Sequence, residues 1–303
     1  MIEKTKLAPL ALFVYNRLQH TRQTVEALQK NGLAKDSDLF IFSDGPKKEA
    51  DKEKVKEVQD YIQTIFGFKS ITVTKRSENL GLSKSIITGV TEIINKYKKI
   101  IVLEDDLVTS PYFLKYMNEA LNLYEKDERV ISIHGYIYPL KERLPETFFL
   151  RGADCWGWAT WKRGWDLFEL DGKKLLKELK DKQLTKKFDF DGAYPFTQML
   201  EMQTLGFNDS WAIRWHASAF LANKMTLYPG CSLVKNIGFG ESGTHTKTTF
   251  SFESEMCDKP IIIEPIIHES NDILTFIKNY FKSPKLRIMT AMMRVKYFLK
   301  KFF

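Results

Sequence analysis

The 303-residue chain has only three cysteines, Cys155, Cys231 and Cys257, and no two form a CxxC pair. So few, and an odd number, exclude a disulfide framework and point to a reducing compartment. The five histidines, His20, His134, His216, His245 and His268, contain no HxxH or HxxxH pair, which argues against zinc. No run of 18 or more apolar residues occurs, so no segment is expected to span a membrane. The opening stretch has lysines ahead of Leu7–Val14, as a leader peptide would. Its apolar run is short, however, contains Pro9, and enters Tyr15-Asn16-Arg17 without a small-residue cleavage site. It reads as a buried first strand.

Acid is missing from the last 26 residues. Positions 278–303 hold Lys278, Lys282, Lys285, Arg287, Arg294, Lys296, Lys300 and Lys301, and no Asp or Glu. The formal charge of +8 therefore belongs to this segment, and the rest balances 38 basic against 38 acidic residues. A neutral body argues against nucleic acid as a partner, because that would need a cationic face. Within the tail, Leu286, Ile288, Met289, Met292, Met293, Val295, Phe298, Leu299, Phe302 and Phe303 recur at near-helical spacing between the basic residues. Such a helix suits an anionic membrane surface, each Lys or Arg adding about 1 kcal/mol. Docking on the body or contact with another copy are the competing readings.

What is present is a folded-domain composition, 44% hydrophobic and 28% charged. Strand-like apolar runs at Pro9–Tyr15, Leu39–Phe42, Ile71–Thr74, Ile100–Leu103 and Val130–Ile133 alternate with helical patterns at 21–30, 52–66, 83–97 and 112–124. This alternation predicts an α/β fold, a mostly parallel sheet with helices on both faces. Such sheets bind ligands at the carboxyl ends of their strands, which marks Asn16-Arg17, Asp44-Gly45 and Glu104-Asp105-Asp106. The three adjacent acids repel one another, and a hard cation such as Mn²⁺ or Mg²⁺, sharing substrate phosphates, would relieve that repulsion. Acids favouring a helix N-terminus are the alternative, although Thr109-Ser110-Pro111 is a better cap.

The segment Val102-Leu-Glu-Asp-Asp-Leu-Val-Thr-Ser-Pro-Tyr-Phe-Leu-Lys-Tyr-Met117 resembles the acidic motif of GT-A-fold glycosyltransferases. It is similar to N-acetylglucosaminyltransferase I-like enzymes and bacterial sugar transferases of polysaccharide biosynthesis. Leu10-Ala-Leu-Phe-Val-Tyr-Asn-Arg17, Phe42-Ser-Asp-Gly45 and Ser77-Glu-Asn-Leu-Gly-Leu-Ser83 resemble the family's other nucleotide-sugar segments. The likeness covers residues 8 to about 135 well and the second half more loosely. It implies a GT-A (Rossmann-like) sheet. It also implies Asp106 as the metal ligand and Glu104 and Asp105 at ribose and donor sugar. Arg17 and Asp44 would lie at the base, and Asn16, Asn79 and Gly81 along the donor. Asp44, Asn79 and Gly81 are equally readable as turn residues.

Past Gly135 the rhythm breaks, and all six tryptophans lie between Trp156 and Trp215. Phe207-Asn-Asp-Ser-Trp211 resembles the family's segment with the catalytic base of an inverting transfer, which implies Asp209; Asp154 is the second candidate. Registering on Trp211 places Ser210 opposite that base, and serine cannot take the role. Asp209 also reads as a helix N-cap for 210–222. Trp156 and Trp158 flank Gly157 and read either as a sugar-stacking platform or as core. Lys173–Lys187 reads as a charged, exposed helix. The segment 228–245 resembles a loop closing over donor, with His245 a further metal candidate.

The chain thus divides into a nucleotide-sugar half (1–135), an acceptor and catalytic half of the same domain (136–270) and a basic amphipathic tail (271–303). The resemblance implies a nucleotide-sugar donor, first a UDP-sugar, and a lipid-linked or oligosaccharide acceptor. With the tail it implies a cytoplasmic enzyme held peripherally at the inner face of the plasma membrane. A glycoside hydrolase needs two carboxyls flanking a bond, whereas these acids cluster at one strand end. A non-enzymatic, membrane-tethered carbohydrate-binding module is the other alternative.

Overall fold

A computed structural model of the chain describes residues 6–239 and 252–302. The first half runs β1 Leu10–Val14, α1 Leu18–Gln29, β2 Asp38–Ser43, α2 Lys52–Tyr61, β3 Ser70–Lys75, α3 Leu82–Tyr97, β4 Lys99–Glu104, β5 Leu107–Thr109, α4 Phe113–Leu123 and β6 Val130–His134. The second half continues with β7 Thr147–Arg151, β8 Trp158–Trp161, α5 Lys162–Trp165, α6 Gly172–Asp181, α7 Thr185–Phe188, α8 Phe196–Thr204 and α9 Trp211–Leu221. It ends with β9 Met225–Pro229, β10 Val234–Asn236, α10 Asn271–Phe281 and α11 Pro284–Phe302.

Eight strands form one sheet in the order β3-β2-β1-β4-β8-β6-β9-β7. Strands β3, β2, β1 and β4 are parallel, and β6 pairs parallel with β9. Strand β8 is antiparallel to both β4 and β6, and β7 is antiparallel to β9. The sheet is therefore mostly parallel with helices on both faces, as the alternation predicts.

Period-two alternation decides which face each side chain enters. Leu10 and Leu12 of β1 bury under Val25 and Leu28 of α1 and Met117 and Leu121 of α4. Ala11 and Phe13 bury on the other face with Ile86, Val90, Ile93 and Ile94 of α3 and Trp215 of α9. Each fully buried Leu or Ile contributes roughly 1.5–3 kcal/mol, so a strand apolar on both faces is stable only when covered on both.

The reversal of β8 positions the site. Val102 of β4 lies opposite Trp158, and Lys99 opposite Trp161. The entry to β8, residues 154–157, thus reaches the sheet edge where β4 exits at Glu104. A two-stranded ladder of β5 with β10, Leu107 opposite Asn236, lays the 236–239 segment beside that exit.

The structure departs from the sequence reading in two stretches here. Lys173–Lys187 is two helices, α6 and α7, because Gln183 takes a left-handed backbone conformation (φ 55°) between them. The pair is not wholly exposed: Leu175, Leu179 and Phe188 bury against α8 and α9. In the tail, α10 buries Ile273, Ile277 and Phe281 against Phe148 and Leu150 of β7 and Tyr228 of β9. Among the described residues no helix is long and apolar enough to cross a membrane.

Candidate functional site

The exits of β1 and β4 bring Arg17 to the acids. Arg17 pairs with Asp105 through its terminal and Nε nitrogens, and reaches Asp106 Oδ2 at 2.9 Å. Asp105 is buried, and its backbone oxygen accepts from Thr24 Oγ1 at 2.9 Å, which pins the turn to α1. Burial and then the neighbouring Asp106 and Asp105 push the Glu104 carboxyl up to about 8. Burial likewise raises Asp105 against the pull of Arg17. Burial and mutual repulsion thus oppose full ionisation of the three carboxyls, with Arg17 the cation set against them. A hard cation here would relieve that repulsion. Among the described residues no group of three or more His, Cys, Asp or Glu is arranged to hold a metal by itself. An ion here would have to be held by one or two carboxylates, Asp106 among them, and completed by ligand oxygens.

The β10 side closes onto this acid. Ile237 N–H donates to the Asp106 backbone oxygen at 2.8 Å, and His20 Nε2 lies 3.2 Å from the Ile237 oxygen. A side chain at Gly238 would place its Cβ 2.1 Å from Asp106 Oδ2, so only glycine allows this approach. His245 lies outside the described residues.

Asp44, at the exit of β2, is buried and turns inward. Its carboxylate accepts from the backbone N–H groups of Leu80 (3.0 Å) and Gly81 (2.9 Å). Asn79 adds a bond from Nδ2 to the Gly45 oxygen at 2.8 Å and accepts from Gly81 N–H at 3.1 Å. Asp44, Asn79 and Gly81 thus form one clasp between the β2 exit and the start of α3. Arg76 completes it, 3.5 Å from Asp44 Oδ1 and 5.6 Å over the Phe42 ring. Sequence reasoning missed Arg76, although it follows β3 directly and so occupies the same kind of exit position. Asn16 lies half-buried between Tyr15 and Arg17.

Asp154 opens the entry segment to β8. The thiol of its neighbour Cys155 is raised by burial and then by the charges of Asp154, Glu104 and Asp106, which places all three near it. Tyr228 Oη donates to Asp154 Oδ2 at 3.1 Å, and His134 Nδ1 lies 3.9 Å from the same oxygen. Burial pushes Asp154 up to about 6 and holds the His134 imidazole down to about 3, so His134 is neutral near pH 7. A carboxyl raised from its unfolded value of about 3.9 adds stability below that pH and loses it as pH rises through about 6. We predict that Asp154→Asn, measured in EDTA, raises the melting temperature at pH 8 and leaves it nearly unchanged at pH 3.5. Equal shifts at both pH values would mean that Asp154 titrates normally.

Asp209 is 72% exposed and 3.4 Å from Arg214. Arg214 in turn donates to Ser83 Oγ at 2.7 Å, to the Ser210 oxygen at 3.2 Å and to the Leu170 oxygen at 3.1 Å. Asp209 therefore borders the 77–83 segment from the side of α9. It does not cap that helix: Ser210 does, its Oγ accepting from Ile213 N–H at 3.2 Å. Sequence reasoning also missed Arg214, whose role depends on the long-range contact with Ser83.

Trp156 and Trp158 part company. Trp158 is 1% exposed and packs within 5.4–5.7 Å of Trp165, Trp211 and Trp215, so it is core and cannot stack on a sugar. Gly157 between them makes room for protein, since a Cβ there would meet Val234 and Phe113. Trp156 is half-buried, edge-on to Tyr136 and Phe239, at the β8 entry.

The model of glycosyl transferase family 2 matches residues 11–179, more than half of the chain. No curated protein matches the chain. Among solved structures, the mannosyltransferase PcManGT from Pyrobaculum calidifontis, in complex with GDP-Man and Mn²⁺, is similar at 10% identity and a TM-score of 0.38. The likeness covers 58% of this chain and 47% of that one. TarS 1–349 of S. aureus is similar at 11% identity and a TM-score of 0.34, over 58% of this chain and 49% of that one. The chain thus spans about half the length of each.

Proposed function

Because the chain belongs to glycosyl transferase family 2 and is a glycosyltransferase, we propose that it transfers a sugar from a UDP-sugar to a lipid-linked glycan acceptor in surface-polysaccharide synthesis. UDP-N-acetylglucosamine is the first donor to test, on the N-acetylglucosaminyltransferase I-like resemblance. The reading includes inversion at the anomeric carbon and engagement of an anionic membrane at the cytoplasmic face through residues 278–303. The observation that carries it is the set of Glu104, Asp105 and Asp106 with Arg17 at the exits of β4 and β1.

In this reading Asp106 holds Mn²⁺ or Mg²⁺, with His245 a further candidate ligand. The ion, when bound, neutralises the diphosphate and makes it a better leaving group. Glu104 and Asp105 face ribose and donor sugar, Asn16 lines the donor, and Arg17 keeps Asp105 in place. The Asp44–Asn79–Gly81 clasp presents the base-binding surface, with Arg76 beside it. Trp156 faces the sugar or the acceptor. Asp209 accepts the acceptor hydroxyl proton as that oxygen attacks the anomeric carbon and the carbon–phosphate oxygen bond breaks. Arg214, anchored on Ser83, orients Asp209. A second reading places the base at Asp154, favoured by its raised carboxyl and by its place at the entry to β8, the strand that pairs with β4.

A donor-hydrolysis screen over UDP-, GDP- and dTDP-sugars with Mn²⁺ tests the proposal. A UDP-sugar should be cleaved with Mn²⁺ and not in EDTA. Preference for a GDP- or dTDP-sugar removes uridine from the reading, and a rate indifferent to EDTA removes the metal.

A further inference from the structure

Helix α11 has two faces of opposite fate. On one, Leu286 and Thr290 are buried. The same side is tied to α8: Gln198 Nε2 donates to the Met293 oxygen at 3.3 Å, and Tyr297 Oη to Glu201 Oε2 at 2.5 Å. Arg294 adds a bond to the Gly192 oxygen at 3.2 Å. On the other face Ile288, Met292, Val295 and Leu299 are 52–68% exposed. Their spacing of four, three and four residues lines them up as one stripe. Lys285 and Arg287, both exposed, sit on either side of it.

The contacts also fix a direction. Residue 293 lies at 198 and residue 297 at 201, so α11 runs alongside α8 in the same sense. The end of α11 therefore points to where α8 stops at Thr204 and the chain enters the segment carrying Asp209. Leu205, the first residue of that segment, is itself 49% exposed.

We infer that the Ile288–Met292–Val295–Leu299 face of α11 seats in an anionic bilayer surface and holds the 205–210 segment at that surface. The charge selects the occupant. Lys278 of α10 pairs with Asp191, but the segment from Lys282 onward still carries seven basic residues and no acid, so it is repelled by its own copy and attracted by anionic headgroups, while the stripe enters the acyl boundary. The membrane as partner rests on the proposed function, as does the consequence for catalysis, an acceptor hydroxyl arriving at Asp209 from the lipid side; the seating stripe and the placement of 205–210 are what the contacts add.

The full chain is mixed, without donor or acceptor, with vesicles of phosphatidylcholine and phosphatidylglycerol, and with vesicles of phosphatidylcholine alone. Binding should be strong to the mixed vesicles and at least about tenfold weaker to the neutral ones. The variant Ile288→Gln, Met292→Gln, Val295→Gln and Leu299→Gln should lose binding by a similar factor and keep its donor hydrolysis. Hydrogen exchange should slow on vesicle addition in 284–302 and 204–210, and not in 63–68 near the β3 edge. Equal binding to both vesicle types, or unaltered binding by the variant, overturns the membrane seat. Lipid-free dimerisation abolished by the same substitutions assigns the stripe to a second copy and overturns it too. Protection confined to 284–302 overturns the placement of the Asp209 segment. None of these readouts requires the transfer reaction: loss of vesicle binding removes the membrane from the proposed function and leaves its donor chemistry to the hydrolysis screen, whereas protection confined to 284–302 fails this placement alone.

Discussion

Asp106→Asn should abolish metal-dependent donor binding and lower transfer about a thousandfold, some 4 kcal/mol of transition-state stabilisation. A carboxamide keeps the shape and polarity that Gly238 and Arg17 contact but loses the charge that would hold a hard cation. The backbone oxygen of Asp106 still accepts from Ile237 N–H, so the β5–β10 ladder stays in place. The measurement is calorimetric titration of UDP with and without Mn²⁺, beside turnover at saturating acceptor. Wild type should show heat that needs the metal, and the variant should show none. The substitution also removes one of three mutually repelling acids, so the melting temperature in EDTA should not fall. A variant that retains transfer would move the centre of the site away from the β4 exit.

Asp209→Asn, by contrast, should leave donor binding within about twofold and lower kcat by roughly 10²–10⁴, the range for loss of a general base. Asparagine keeps an oxygen for Arg214, so the loop should hold its position, and the site is too exposed for the change to affect folding. The companion variant Asp154→Asn decides between the two carboxyls. If Asp154 were the base, its deprotonated form would be the active one, and wild-type kcat would rise with pH through about 6. Loss of that rise in Asp154→Asn, together with near-normal turnover by Asp209→Asn, would transfer the role to Asp154.

The donor half was legible because its signals are local. An apolar run followed at once by acids can be little other than a buried strand and its exit, and Glu104–Asp106 are where that pattern places them. Gly81 and Asp44 were legible as special positions but not as partners, since the bonds from Leu80 and Gly81 to Asp44 join residues 36 and 37 apart. The second half was less legible. Whether Trp156 or Trp158 faces the site depends on the pairing of β8 with β4, and nothing near those residues announces an antiparallel strand inserted beside a parallel one. The behaviour of Asp154 is set by burial around Tyr228 and His134, 74 and 20 residues away in sequence, which no motif encodes. The two faces of α11 were indistinct for the same reason: amphipathic spacing marks the apolar positions, but only the partner helix α8 separates covered from bare.

The reversed strand β8 has a consequence for how the site is held. The ladders that join β3 to β2, β2 to β1 and β1 to β4 use none of residues 152–157, and the β4–β8 ladder begins only at Trp158. The strands that carry Arg17, Asp44 and Asp106 therefore hold their register independently of that entry segment. The segment is fixed instead by close packing, since a Cβ at Gly157 would lie 2.6 Å from Val234 and one at Gly152 2.5 Å from His216.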